Sequence, residues 1–227
     1  MAKVTYLGHS CFQIQTEGLT ILTDPFIAGN ALAKSIDVSA LKADFILVSH
    51  GHDDHVADLV QLAKQTKAKV LCNFEIHTWL NAQGVDNTHA MNIGGGWPYN
   101  IGRVKMVNAV HSSSLPDGSY GGCAAGFVVE NEKETFYFAG DTALTYDMKL
   151  LAEEFKVNFA FLPIGDNFTM NIDDAVLAAK FVGTKQVIGM HYDTFPYIKI
   201  DQNEAIEKFA AKGIELFLFK IGQTIEL

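Results

Sequence analysis

Short apolar runs bounded by glycine, proline and acidic residues recur along this chain and predict strands. Residues 4–7, 11–15 and 19–23 form a β-rich opening, turned at Gly8 and Glu17-Gly18 and closed by Asp24-Pro25. Residues 26–36 mix apolar and small side chains without a period, which predicts a mobile flap; 37–41 reads as a short helical turn. The uniformly apolar run 45–48 predicts a buried strand. From Val56 onward, Leu59, Val60, Leu62 and Ala63 recur at helical spacing, predicting a helix over 56–66. A strand at 69–73 and a helix at 75–83, stopped by Gly84, follow.

Gly94-Gly95-Gly96-Trp97-Pro98-Tyr99 reads as a turn cluster. Beyond it the layout repeats. Residues 103–110, 125–130 and 134–139 are β-rich, and helices near 145–155, 173–182 and 202–211 interleave with strands at 158–164, 186–190, 214–219 and 223–227. Two similar halves, each a sheet with helices on one face, must bury their bare faces against each other. The expected fold is α/β, a four-layer α/β/β/α sandwich forming one domain over residues 1–227.

The strand-to-helix passage between 45–48 and 56–66 carries the chemistry. His50, His52, Asp54 and His55 lie within six residues. Positions two apart in extended chain project to the same side, so His50 and His52 face one point. Asp54 and His55 enter the first helical turn and face it from another direction. Neutral imidazole and carboxylate are the usual donors for borderline divalent metals, so this turn reads as a metal site.

With that H-x-H-x-D-H pattern after a strand, the chain resembles the metallo-β-lactamase superfamily. The resemblance extends to His111, Asp141 and His191, each just past an apolar run and in the superfamily's order. The stretches Tyr6–Phe12 and Met190–Pro196 are similar to a subfamily of stand-alone metal-dependent hydrolases that includes ascorbate-6-phosphate lactonases. The resemblance implies two divalent ions, zinc first, with manganese or iron as alternatives. His50, His52 and His111 would hold one ion, and Asp54, His55 and His191 the other, with Asp141 bridging. It also implies that Asp24 supports the metal-binding turn without binding metal, and that His9 faces the cleft. Such a pair of ions activates a water for attack on a carbonyl or phosphoryl centre. Asp54 doubles as proton acceptor, with His9 the one further candidate acid.

Composition narrows the substrate. Lys+Arg 17 against Asp+Glu 26 gives a net charge of −9, which argues against a nucleic-acid-coating surface but admits an anionic small molecule near the ions. The implied function is hydrolysis of a small ester, a lactone or a phosphorylated sugar-acid lactone. The alternatives are a phosphodiesterase acting on nucleotides or short oligonucleotides and a non-catalytic metal-binding regulator. A di-iron redox partner of flavin fits less well, because such proteins usually place a carboxylate where this chain has His52. The loops 111–122 and 165–170 are expected to reach the cleft, while His77 and His89 are expected outside it. Three cysteines without C-x-x-C spacing, and no signal peptide or membrane-length apolar run, predict a cytoplasmic chain with reduced thiols and no membrane partner. A homo-oligomer is compatible with all of this.

Overall fold

The computed structural model describes residues 1–227. Its first sheet contains β1 (Lys3–Gly8), β2 (Cys11–Thr16), β3 (Leu19–Thr23), β4 (Phe45–Leu47), β5 (Lys69–Asn73) and β6 (Thr88–Met91), with β14 (Thr224–Glu226) beside β1. The second contains β7 (Gly96–Tyr99), β8 (Gly102–Asn108), β9 (Ala125–Glu130), β10 (Thr135–Phe138), β11 (Phe159–Pro163), β12 (Gln186–Met190) and β13 (Glu215–Phe217), in that spatial order. Strands β3 to β6 run parallel, as do β10 to β13.

Period-two alternation explains the layers. In β4 and β5, Phe45, Leu47 and Leu71 join the core between the sheets, while Ile46, Val70 and Cys72 point the other way. That outer side packs on α1 (Asp53–Val56), α2 (Leu59–Thr66) and α3 (Phe74–Ala82) through Val56, Leu59, Leu62, Ile76 and Leu80. The second sheet is covered by α4 (Met148–Glu154), α5 (Ile172–Val182) and α6 (Gln202–Ala210). Between the sheets, the Phe161 ring meets Phe12 of the first sheet at 4.8 Å and Phe138 of its own at 5.9 Å. The architecture is the expected α/β/β/α sandwich.

Several local expectations change. The helix expected over 56–66 is two helices meeting at Asp58, whose buried carboxylate accepts hydrogen bonds from the Ile27 and Ala28 amides. Those bonds also settle the expected flap. Phe26, Ile27, Asn30 and Ala33 are buried, and the segment is a packed part of the fold. The Gly94–Tyr99 turn cluster contains edge strand β7, where Pro98 is tolerated because an edge residue can leave its amide side unpaired. Strand 223–227, expected with the second half, pairs antiparallel with β1 instead. Cys11 and Cys72 are buried and Cys123 is exposed. No helix is long and apolar enough to cross a membrane.

Candidate metal centre

Strands β1, β3 and β4 run the same way in the first sheet, as do β8, β10 and β12 in the second, and the segments leaving them carry every ligand-type residue singled out above. His9 follows β1, Asp24 follows β3, and His50 and His52 follow β4. Asp54 and His55 lie in α1, and His111, Asp141 and His191 come after β8, β10 and β12. Their donor atoms gather into three groups, each within 4.8 Å: His50, His52 and His111; His9, Asp54, His55 and His191; and, behind these, Asp24 with His50 and His55.

Asp141 lies between the first two groups. Its Oδ2 is 2.9 Å from Nε2 of His191, 3.3 Å from that of His55, 3.6 Å from that of His111 and 4.0 Å from that of His50. One carboxylate oxygen has lone pairs for about two donors, so four converging imidazoles exceed what hydrogen bonding can use. His50 Nε2 and His52 Nδ1 are 2.9 Å apart, with Ser112 Oγ 3.4 Å from His52 Nε2. Asp54 Oδ2 lies 3.2 Å from His9 Nε2 and 3.8 Å from His191 Nε2.

Behind these rings sits a clamp. Asp24 accepts from the Ser49 amide at 2.7 Å and from Ser49 Oγ at 2.6 Å, and it faces His55 Nδ1 at 2.8 Å. Ser49 Oγ is also 2.9 Å from His50 Nδ1. The Nδ1 side of both rings is therefore occupied, which turns both Nε2 atoms toward Asp141. His9 is held similarly, with Nδ1 at 2.9 Å from Thr194 Oγ1. The two halves approach closely here: a Cβ on Gly140 would sit 2.5 Å from that of Ser49, and the His191 amide donates to His9 O at 3.1 Å. His9, Asp24 and His191 all adopt left-handed backbone, at φ 58°, 32° and 56°. Strain of this kind persists only where the surroundings over-determine it.

The charge states suit a cation. Burial pushes His50 well below its ordinary value and lowers His52 and His111, leaving neutral imidazoles with free lone pairs. Burial also lowers His9 to about 4, with His191 adding to the shift and Asp54 opposing it. Burial is the largest single influence and would raise Asp54 and Asp141, but His9 and His55 together outweigh it at Asp54, as His191 and His55 do at Asp141, so both are lowered. At His55 burial is overcome by Asp141 and Asp24, which hold the imidazole well above its usual range. Burial raises Asp24, while His55 and Ser49 pull the other way. Three buried atoms in this network, His55 Nε2, Asp141 Oδ1 and His191 Nδ1, have no hydrogen-bond partner. Unpaired buried polar atoms within such a set of imidazoles and carboxylates fit a metal ion, which would take the place of the proton that Asp141 and Asp24 hold on His55.

All seven proposed ligands are brought together, and His9 joins them from below. It is fully buried and does not line the opening, so its reach into the cleft passes through Asp54. A cleft of 540 Å³ opens over the cluster, lined on its far side by Phe168, Phe195, Pro196 and Tyr197. The loops 111–122 and 165–170 both reach it, through Ser112 and Phe168. Asn171 separately caps α5 by accepting from the Asp174 amide. His77 and His89 lie elsewhere, against Thr88 and Tyr99. Ser49 is a further residue of the site, and its position directly before His50 at the end of an apolar strand is the signal the sequence offers.

The model of a beta-lactamase superfamily domain matches residues 3–191. A UPF0173 metal-dependent hydrolase from Flavobacterium johnsoniae is 50% identical over 225 residues, 99% of this chain and 100% of that protein. One from Methylacidiphilum infernorum is 48% identical over 225 residues, again 99% and 100% of the two chains. Among solved structures, Igni18, a metallo hydrolase from the hyperthermophilic archaeon Ignicoccus hospitalis, superposes with a TM-score of 0.89 at 32% identity. The match covers 99% of this chain and 97% of that one.

Proposed function

Because this chain belongs to the beta-lactamase superfamily and is a metal-dependent hydrolase, we propose that it hydrolyses a small ester, in the first instance a lactone, at a centre for two divalent ions. The observation that carries this is the Asp141 carboxylate, lying between two donor groups and within 4.0 Å of four imidazole nitrogens. His50, His52 and His111 would hold one ion, Asp54, His55 and His191 the other, and Asp141 both. Zinc suits the imidazole-rich set best, with manganese and iron as alternatives.

Two ions held there supply Lewis acidity toward the substrate carbonyl and toward an attacking water. The chain's own residues do the rest. Asp54, partly exposed at the cleft, takes the proton released as water attacks and returns it to the leaving alkoxide. His9 positions Asp54 by binding the oxygen that would otherwise swing. The Asp24–Ser49 clamp keeps His50 and His55 in the orientation that aims Nε2 inward. Lactone opening consumes one water and yields a hydroxy acid, so no further reactant is required.

Elemental analysis of metal-replete protein is expected to give two divalent ions per chain, falling toward one in His111→Ala, with lactone hydrolysis tracking the second ion. Anomalous diffraction showing no metal beside His50 and His191 in metal-replete crystals would sink the proposal. Because the ligands come from both sheets, metal should also tie the halves together by binding only the folded form. Chelation is accordingly expected to lower the melting temperature without abolishing folding, since the core between the sheets is complete without it. An unchanged melting curve, with metal removal verified by mass spectrometry, would show that no such linkage exists.

A further inference from the structure

We propose, on the basis of the hydrolase assignment above, that the substrate's non-reacting part is uncharged and apolar, an aryl or alkyl group seated against Phe168, Phe195 and Tyr197. Apart from the proposed ligands and Ser112, the cleft is lined by those three rings and Pro196 alone. No lysine or arginine lines it. A phosphate or carboxylate remote from the reacting carbonyl needs a cationic fork or a cluster of free amides. Here it would meet aromatic faces, which carry negative quadrupole density and repel anions. The charge at the metal centre serves the reacting end of the substrate, and nothing serves a second anion.

The aromatic wall is built into ordered backbone. Phe168 is 50% exposed and Tyr197 75% exposed, yet neither sits on a slack loop. Phe168 follows Asp166 and Asn167, both left-handed at φ 64° and 53°, in a loop closed by the Asp166 amide donating to Met170 O at 3.0 Å. Asp and Asn bear this conformation most cheaply among side-chain-bearing residues, but two in succession still cost energy. The loop is seated on the metal-site turn, because a Cβ on Gly165 would lie 2.1 Å from His191 O. Tyr197 lies in a 3₁₀ turn, Pro196–Ile198, pinned where the Asp193 amide donates to Ile198 O at 2.8 Å. Phe195 is wedged with its ring 5.4 Å from that of His9. Exposed rings grouped at a concave mouth, on pre-ordered backbone, are what an apolar ligand requires.

The test compares δ-lactones; because dihydrocoumarin expels a phenolate and the sugar lactones an alkoxide, the wall is read from how each variant changes the ratio between them. Zinc-loaded protein is expected to cleave dihydrocoumarin with kcat/KM at least about tenfold above glucono-δ-lactone and 6-phosphogluconolactone. Phe168→Ala and Tyr197→Ala should each lower the dihydrocoumarin to glucono-δ-lactone ratio by about tenfold, mainly through KM, whereas Tyr197→Phe should retain it. Independently, 2-tetralone, the carbocyclic isostere with no bond to cleave, is titrated calorimetrically; its Kd should weaken about tenfold in both alanine variants. If every lactone is inert while 2-tetralone binding depends on both rings, the lactonase assignment fails and the aromatic wall stands. Preference for 6-phosphogluconolactone, or 2-tetralone binding that is absent or equal in wild type and both alanine variants, overturns the wall.

Discussion

Asp54→Asn is expected to cut turnover on a cleaved lactone by about 10²–10⁴-fold, the range typical of a general acid–base group. Asparagine preserves the size of the side chain and one oxygen, but it removes the charge and the basicity. Asp54 Oδ2 is the atom His9 holds, and Asp54 also lines the cleft, so the side chain can both face substrate and face metal. These two roles separate with metal concentration. A ligand defect is relieved when occupancy is restored; a missing proton acceptor is not. Turnover and metal content should therefore be measured together across a metal titration, with His77→Ala, far from the cluster, as the control. Recovery to near wild-type turnover at full occupancy would reduce Asp54 to a ligand. Full turnover with a single ion bound would remove the two-ion mechanism.

Asp24→Ala should damage the protein in a different way, losing metal affinity by about 10–100-fold and unfolding stability by roughly 3–5 kcal/mol. Asp24 is fully buried and contacts no cleft, so the variant leaves every proposed ligand in place. It strands the Ser49 amide, the Ser49 hydroxyl and the His55 ring nitrogen in the interior, beside an imidazole that Asp24 helps to keep charged without metal. Asp24→Asn retains one acceptor oxygen and should fall between. Urea unfolding of the metal-free protein reads the stability loss, and competitive chelator titration reads the affinity. A wild-type unfolding midpoint together with wild-type affinity in Asp24→Ala would show that the clamp does not hold the rings.

How much of this was legible in the sequence followed from the range of the interactions. The cluster from His50 to His55 could be read directly, because ligand chemistry and same-side spacing are local properties. His111, Asp141 and His191 were placed only through a family resemblance, since nothing in their own neighbourhoods says which distant turn they meet. Buried strands such as β4 and β11 announced themselves as apolar runs. Strands β6 and β7 did not: β6 lacks a continuous apolar face and β7 carries glycine and proline at a sheet edge. The segment from Phe26 to Ile36 read as a flap because its anchor, the Asp58 carboxylate, lies across the fold. The aromatic wall was equally hidden, because periodicity cannot distinguish a phenylalanine facing a cleft from one facing the core.

The pairing of β14 with β1 bears on how the protein is made. Lys3 lies opposite Glu226 and Thr5 opposite Thr224, so β1 is covered by a strand synthesised long after it. On a ribosome adding roughly 5–20 residues per second, the outer edge of β1 waits on the order of 10–40 s for its partner. Throughout that time its amides and carbonyls are a template for any neighbouring nascent chain. Fourteen strands can be laid down in order, but this edge closes only when a three-residue strand arrives. The interval between synthesis of the two strands is thus the stage at which a chaperone could shield this edge.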